Sequence, residues 1–361
     1  MRNKKIIVVH LLNDFSGSVR VLRQTLSALI QKGYDTKICT SDSKDGFISG
    51  LDADYFFIPY KYRSNKFISL LSYVFSQFYL FLKILTVDKR NTVLYINTLM
   101  PFGAALAGFV KGIPIVYHVH EGPRTIRPEI LYKFLIFIMR KTSKKVIYVS
   151  KYLSNVTNTN VDSVIIYNST NMPNDLNTEQ NEEYNINLVC SLKCFKGVYN
   201  FIRLSTMFSN NLNVKFNLFL NTANMNEKDV SDFFKGFSLE NVNLVLNESS
   251  KDKIYSDSYI VLNMSIPDVC VETFGMTILE AMSYGKPCIV PEVGGPTELV
   301  EHGLHGYRCS SSNLSSMYDY INLLIDDSKL YEMMSANAKQ KARLFSNEIY
   351  NENIISLIDG I

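Results

Sequence analysis

The chain runs to 361 residues, 47% of them hydrophobic, with 37 Lys and Arg against 34 Asp and Glu for a formal net charge of +3. That length is long for one domain and leaves room for a proper core in each of two. With charge so nearly balanced and no dense Lys/Arg stripe, the composition argues against a nucleic-acid partner, which needs a concentrated basic surface.

The opening segment, MRNKKIIVVHLLNDFSGS, is basic and then apolar, but its apolar run is short for a signal-peptide core and soon meets Asn13 and Asp14. It reads as a first strand, KIIVVH (5–10), then a turn at Gly17 and Ser18, then a helix with Val19, Leu22, Leu26 and Leu29 on one face. Further buried strands are predicted at 36–40, 54–58, 93–97, 113–119, 145–150 and 163–168. Two uncharged stretches invite a membrane reading. Asn97, Pro101 and Gly103 break 91–110 into strand, turn and helix, and 67–82 holds three serines and a glutamine, so no transmembrane helix is expected.

Residues 168–185 are polar, rich in Asn and Glu, and nearly empty of core formers. The expected division is a domain at 1–170, a linker at 171–185 and a second domain at 186–361, whose last helix is free to pack back on the first. Strands restart at 186–191, 214–220, 242–246, 259–265 and 287–291. Continuous apolar strands alternating with helices imply α/β architecture: two Rossmann-like, doubly wound domains whose strand ends face a central cleft, where ligands bind. The six cysteines, Cys39, Cys190, Cys194, Cys270, Cys288 and Cys309, fit neither a zinc ribbon nor a disulfide framework. They read as reduced thiols of a cytoplasmic protein.

The richest segment is VETFGMTILEAMSYGKPCIVPEVGG (271–295). Ile278, Leu279 and Met282 form the apolar side of a helix that stops at Gly285, and ETFG is a turn at its start. Unpaired N–H groups and the positive end of the dipole make such a start a phosphate site. Two carboxylates bracket it, Glu272 before the helix and Glu280 within it. A nucleotide sugar explains both: its diphosphate lies on the helix start, and its ribose and hexose offer vicinal hydroxyls to a carboxylate on either side.

The stretch from about 258 to 308 resembles the retaining glycosyltransferases of family 4, which have the two-domain GT-B fold. The residues that carry the resemblance are Glu272 and Glu280 with seven residues between them, Phe274 and Gly275, EAMSYGKP at 280–287 and GGPTELVEHGLHGY at 294–307. The resemblance implies that Glu272 positions the transferred sugar and Glu280 holds the ribose. It also puts Phe274, Gly275, Met276 and Thr277 at the donor diphosphate. FSGSVRVL (15–22) is similar to the family's first glycine loop, so that Gly17 approaches the donor phosphates when the domains close. YHVHE (117–121) resembles a strand end at the reacting centre, which makes His120 catalytic and puts Glu121, with Asn97, on the acceptor side. VCSLKCFKG (189–197) resembles a G-R-L…K-G segment with two departures. Cys190 stands where Gly is usual and Ser191 where a phosphate-binding Arg is usual, while Lys196 and Gly197 are kept. Lys193 is then the candidate to supply the missing charge.

The resemblance further implies hexosyl transfer with retention through a front-face displacement. Lys196 and backbone N–H groups would neutralise the leaving diphosphate, with no metal required. The donor would be a nucleotide-diphosphate sugar, UDP favoured. The acceptor would be a glycan, in particular a lipid-linked oligosaccharide of bacterial O-antigen or capsule synthesis. Aromatic and basic residues in 60–83 and 132–145 offer a peripheral membrane contact, against the plainer reading that both are packing helices. Two alternatives stand beside this: an epimerase of the same fold, and a catalytically silent sugar-nucleotide-binding subunit, which Ser191 favours. A two-lobed periplasmic solute-binding protein is set aside because no export signal is read.

Overall fold

In the computed structural model, residues 4–42, 45–61, 63, 65–173, 183–222 and 225–361 are described. The apolar runs become two all-parallel sheets with helices between their strands. The first sheet is built along β1 (Lys5–Val9), α1 (Gly17–Gln31), β2 (Asp35–Ser41), β3 (Asp54–Ile58), α2 (Lys66–Leu85), β4 (Thr92–Asn97), α3 (Phe102–Lys111), β5 (Ile115–Val119), α4 (Glu129–Thr142), β6 (Lys145–Tyr148), α5 (Lys151–Thr157) and β7 (Ser163–Ile165). Its strand order is β3-β2-β1-β4-β5-β6-β7. Residues 174–182, within the expected linker, lie outside the described residues, and Tyr184 and Asn185 already belong to the next strand.

The second sheet follows from β8 (Tyr184–Ser191), a 3-10 turn (Cys194–Lys196), α6 (Val198–Thr206), β9 (Val214–Asn221), α7 (Glu227–Phe233), β10 (Val242–Leu246) and α8 (Lys251–Tyr255). It continues through β11 (Ser258–Leu262), α9 (Met276–Ser283), β12 (Cys288–Val290), α10 (Pro296–Leu299), β13 (Gly306–Arg308), α11 (Leu314–Asp326) and α12 (Ser328–Arg343). The order is β10-β9-β8-β11-β12-β13. β13 was not foreseen, because its three residues carry no apolar run. The last helix, α13 (Asn347–Asp359), belongs with the first sheet: the two units are Met1–Asn168 with Glu348–Ile361, and Ser169–Asn347.

Each core follows from strand alternation. Ile6 and Val8 of β1 point to the face covered by α1 and α13, where Val19, Leu22, Leu26 and Leu29 meet Ile354 and Ile358. Tyr350 of α13 shares a 2.6 Å hydrogen bond with Thr25 of α1, and Lys4 donates to the carbonyl of Ile358 at 2.7 Å. The opposite face carries α2, α3 and α4. At Gly103 a Cβ would come 2.0 Å from the backbone oxygen of Gln77, so α2 and α3 meet backbone to backbone there. The Gly103 N–H donates to Gln77 Oε1 at 3.0 Å. Despite its three serines and glutamine, α2 is long and apolar enough by length and composition to cross a membrane. One of its sides, Tyr73, Gln77, Leu80 and Ile84, is buried within the unit.

Both strand orders reverse once: at β1/β4 in the first sheet and at β8/β11 in the second. Connections leave a reversal in opposite directions, and the crevice this opens beyond the strands' carboxyl ends is where open α/β sheets bind ligands.

Candidate functional site

The reversal in the second sheet brings two sequence-distant loops together. β8 leads into the 3-10 turn that ends at Lys196, and β11 leads through 263–275 into α9. Lys196 Nζ lies 2.5 Å from Glu272 Oε2, an ion pair across 76 residues in which each side chain is 23% exposed. Burial alone would lower the Lys196 ammonium, but the charge and hydrogen bond of Glu272 offset this and hold it above its ordinary value. The Cys190 thiol beside the pair is pushed up to about 12 by burial and stays neutral.

Close backbone contacts set this geometry. Gly197, in the left-handed region at φ 76°, sits where a Cβ would meet the Met264 carbonyl oxygen at 2.0 Å. Behind the Glu272 turn, a Cβ on Gly295 would come 2.3 Å from the Thr273 carbonyl oxygen, and the Gly295 N–H donates to the carbonyl of Glu272 at 2.9 Å. Phe274 is buried and packs edge-on to Phe345, anchoring the turn. Gly275 caps α9 at φ 102°. The N–H groups of Ile278 and Leu279 both donate to its carbonyl at 3.1 Å, which leaves the amides of Met276 and Thr277 ahead of the helical ladder.

Glu280, one turn further, is buried rather than open. Its Oε2 accepts from the Tyr255 hydroxyl at 3.1 Å and its Oε1 lies 3.1 Å from Lys251 Nζ. Lys251 also donates to Thr170 Oγ1 at 2.9 Å. Ser191 ends β8, and Lys193 is exposed with its ammonium 5.7 Å from the Phe195 ring centroid.

The first unit has a polar cluster at its own reversal. Asn97, the last residue of β4, is fully buried and linked to three neighbours. Its Nδ2 donates to His10 Nδ1 at 3.1 Å and to the Ser18 carbonyl at 3.4 Å, and its Oδ1 accepts from His120 Nε2 at 3.0 Å. These roles leave His120 Nδ1 as the ring's basic nitrogen. Burial, then the neighbouring His118 and His10, lowers the His120 imidazole well below its usual value. Burial likewise takes His118 down to about 3. His118 Nδ1 shares a 2.7 Å hydrogen bond with the Tyr95 hydroxyl, and its ring lies 4.3 Å from that of His120.

Glu121 closes the cluster. Its Oε2 accepts the N–H groups of His120 and Leu99, each at 3.3 Å. Burial raises its carboxyl to about 7, those bonds opposing the shift. Thr98, between β4 and Leu99, takes a left-handed φ of 73°, strain that aims the following N–H at Glu121. Gly17 starts α1 on the exposed side, and a Cβ there would meet nothing within 4 Å.

Comparison with known proteins gives these clusters a context. The family described as Glycosyltransferase Family 4 matches residues 15–172, and Glycosyl transferases group 1 matches residues 178–341. A 90-residue stretch is 33% identical to the N-acetyl-alpha-D-glucosaminyl L-malate synthase of Bacillus anthracis, covering 25% of this chain and 23% of that one. Another is 28% identical over 90 residues to the N,N'-diacetylbacillosaminyl-diphospho-undecaprenol alpha-1,3-N-acetylgalactosaminyltransferase of Campylobacter jejuni, covering 25% and 24%. The matching stretches span about a quarter of the length of these curated relatives. The fold is similar to that of HepE from Anabaena in complex with UDP-glucose, with a TM-score of 0.79 at 18% identity over 99% of this chain and 100% of that one. The chain is a GT-B-fold relative of the family 4 glycosyltransferases.

In this GT-B chain, the residues singled out from sequence fall into two groups by unit. Lys196 with Glu272 and the start of α9 form one, and Asn97, His120 and Glu121 the other, with Gly17 at the first position of α1. Four participants were not singled out: His10, Thr98, Lys251 and Tyr255. His10 had a signal, a histidine closing the first apolar strand. Lys251 and Tyr255 lie four residues apart on α8, a spacing that shares a helix face but points to Glu280 only once α8 and α9 are seen to touch. Among the described residues, no three His, Cys, Asp or Glu side chains gather as a metal site.

Proposed function

We propose that this chain is a retaining glycosyltransferase that moves a hexose from a nucleotide-diphosphate sugar, UDP-linked for preference, to a glycan acceptor. The observation that carries this is the Lys196–Glu272 pair beside the leading amides of α9, at the strand-order reversal of the second unit. Lys196 and those amides supply the positive field for a leaving diphosphate from the chain's own atoms, so the transfer needs no metal. Glu272 shares its carboxylate with Lys196 before donor arrives and turns it to the sugar hydroxyls when the diphosphate draws the ammonium away. Glu280 sits at the ribose, its charge held by Lys251 and Tyr255 so that vicinal hydroxyls meet a fixed acceptor. His120, neutral with a basic Nδ1, and Glu121, with its carboxyl raised to about 7, serve the sugar and acceptor hydroxyls from the first unit.

HepE, solved with UDP-glucose, supports a UDP donor, and the Campylobacter relative named for a diphospho-undecaprenol substrate supports a lipid-linked acceptor. We assign the acceptor to bacterial O-antigen or capsule synthesis at the cytoplasmic side. The test is donor turnover by the purified chain with UDP-, GDP- and dTDP-sugars, without and with EDTA. Nucleotide diphosphate released with one donor, unaffected by EDTA, is the expected result. Binding without release, even with glycan acceptors, would favour the silent-subunit reading that Ser191 suggests, and a metal requirement would overturn the metal-free account.

A further inference from the structure

The first unit exposes an apolar face that its own fold does not use. On α2, Phe67, Leu71, Val74, Phe75, Phe78 and Leu82 line the side away from the packed one, each between 47% and 68% exposed. Their spacing of three and four residues makes one stripe along a helix of 20 residues, roughly 30 Å long. On α4, Ile130, Phe134 and Phe137 are also exposed, with Lys133 and Lys141 between and beyond them. Phe102 of α3 packs between the two helices, its ring 6.0 Å from Tyr73 on the packed side of α2 and 5.3 Å from Phe134 of α4. The α2 stripe alone leaves on the order of 600 Å² of apolar side chain in water, at or above the largest patch of an ordinary monomer.

Charge says what covers it. The whole chain is nearly neutral, yet 60–85, 102–111 and 124–142 together hold ten basic residues and one acid. That acid, Glu129, is bound to Lys133 at 2.7 Å. A protein partner needs no such one-sided charge, whereas an anionic phospholipid surface attracts each Lys and Arg near it while the apolar side chains enter the headgroup boundary. The helix does not cross the bilayer, because Tyr73, Gln77, Leu80 and Ile84 hold its other side to the unit, through the Tyr73 hydroxyl to the Met100 carbonyl at 2.8 Å among other contacts.

We infer that this face of α2 and α4 docks on the surface of an anionic phospholipid bilayer, with both helices lying in its plane. The inference goes beyond the transferase reading and stands whether or not the chain transfers sugar. The experiment is co-sedimentation of the full chain with phosphatidylcholine vesicles, with or without roughly one-third phosphatidylglycerol, the charge giving the surface potential that attracts basic segments. Wild type binds the anionic vesicles more tightly, and raising salt weakens that binding several-fold. Phe75→Ser with Phe78→Ser, both at exposed positions, lowers the partition coefficient more than tenfold with unchanged melting temperature and nucleotide binding. Ile130→Ser with Phe137→Ser does the same from α4, so that a folding defect in one pair does not decide the question. No binding of wild type to anionic vesicles, or equal binding by both variant pairs, overturns the proposal. So does a lipid-free dimer that the substitutions dissociate, which would make the face a contact between copies.

Discussion

Replacing Lys196 with Met tests the pair at the centre of the second unit. The change removes the ammonium 2.5 Å from Glu272 and leaves a carboxylate that is three-quarters enclosed. Exposed pairs contribute at most about 1 kcal/mol, while removing one partner of a fully buried pair costs about 3–5 kcal/mol. At 23% exposure on each side, we expect a loss of roughly 2 kcal/mol, a drop in melting temperature of roughly 4–8 °C for a unit of this size. Glu272→Gln should cost less, because a neutral amide still accepts from the ammonium. The double variant should recover part of the loss, giving a coupling of about 1 kcal/mol or more in a double-mutant cycle followed by chemical denaturation. The pH dependence has a definite sign. The folded-state Lys196 value is raised, so its stabilisation is fully present below the ordinary lysine value and is lost as pH rises through the folded one. Coupling within about 0.3–0.5 kcal/mol of zero would refute the reasoning, because additive variants mean that the two side chains do not act on each other.

Three further outcomes follow from the same geometry. Gly17→Ala should leave stability within about 0.5 kcal/mol, since a Cβ there meets nothing; turnover should nonetheless fall if donor phosphates approach this loop, and unchanged turnover would remove Gly17 from the donor site. Lys251→Met should destabilise the chain by about 2–4 kcal/mol by leaving Glu280 buried without its cation, whereas Glu280→Gln should cost less; Glu280→Ala should weaken nucleotide binding in calorimetric titration, and unchanged affinity would take Glu280 out of the ribose site. Glu121 has a raised folded value near 7, so its protonated form is favoured in the native state and wild type should lose stability relative to Glu121→Gln as pH rises from about 4.3 to 7; denaturation midpoints that track each other across that range would contradict the assignment.

Much of the fold was legible because the sheets are parallel and doubly covered. Strands buried on both faces read as unbroken apolar runs, as IIVV (6–9) and VLYI (93–96) do, whereas VKFNLFL (214–220) alternates, with Lys215 and Asn217 turned to its more open face. β13 escaped because Gly306–Arg308 joins the sheet through close backbone contact, a Cβ on Gly306 lying 1.9 Å from the Cys288 carbonyl oxygen, and leaves no apolar signature. Glu272 and Lys196 could be named because each sits in a local motif, but nothing local says that they touch; that depends on β8 and β11 being neighbours. Lys251 and Asn97 show the same limit more sharply. Lys251 sits in no local motif and meets Glu280 only once α8 is laid against α9, and Asn97, placed on the acceptor side by resemblance alone, gains its partners only when the order β1-β4-β5 gathers His10 and His120 around it. The aromatic and basic character of 60–83 was legible as either a peripheral membrane contact or a packing helix, and sequence could not choose between them, because an apolar helix looks alike whether its outer side meets core or water.

The measurement that bears most directly on the central claim is nucleotide-diphosphate release from UDP-, GDP- and dTDP-sugars by wild type, Glu272→Ala and Lys196→Met. The account predicts release from one donor by wild type. Glu272→Ala should depress turnover far more than affinity for the nucleotide diphosphate, and Lys196→Met should depress both. Wild-type turnover in the Glu272 variant would contradict it, as would binding and release of none of the donors with acceptor present.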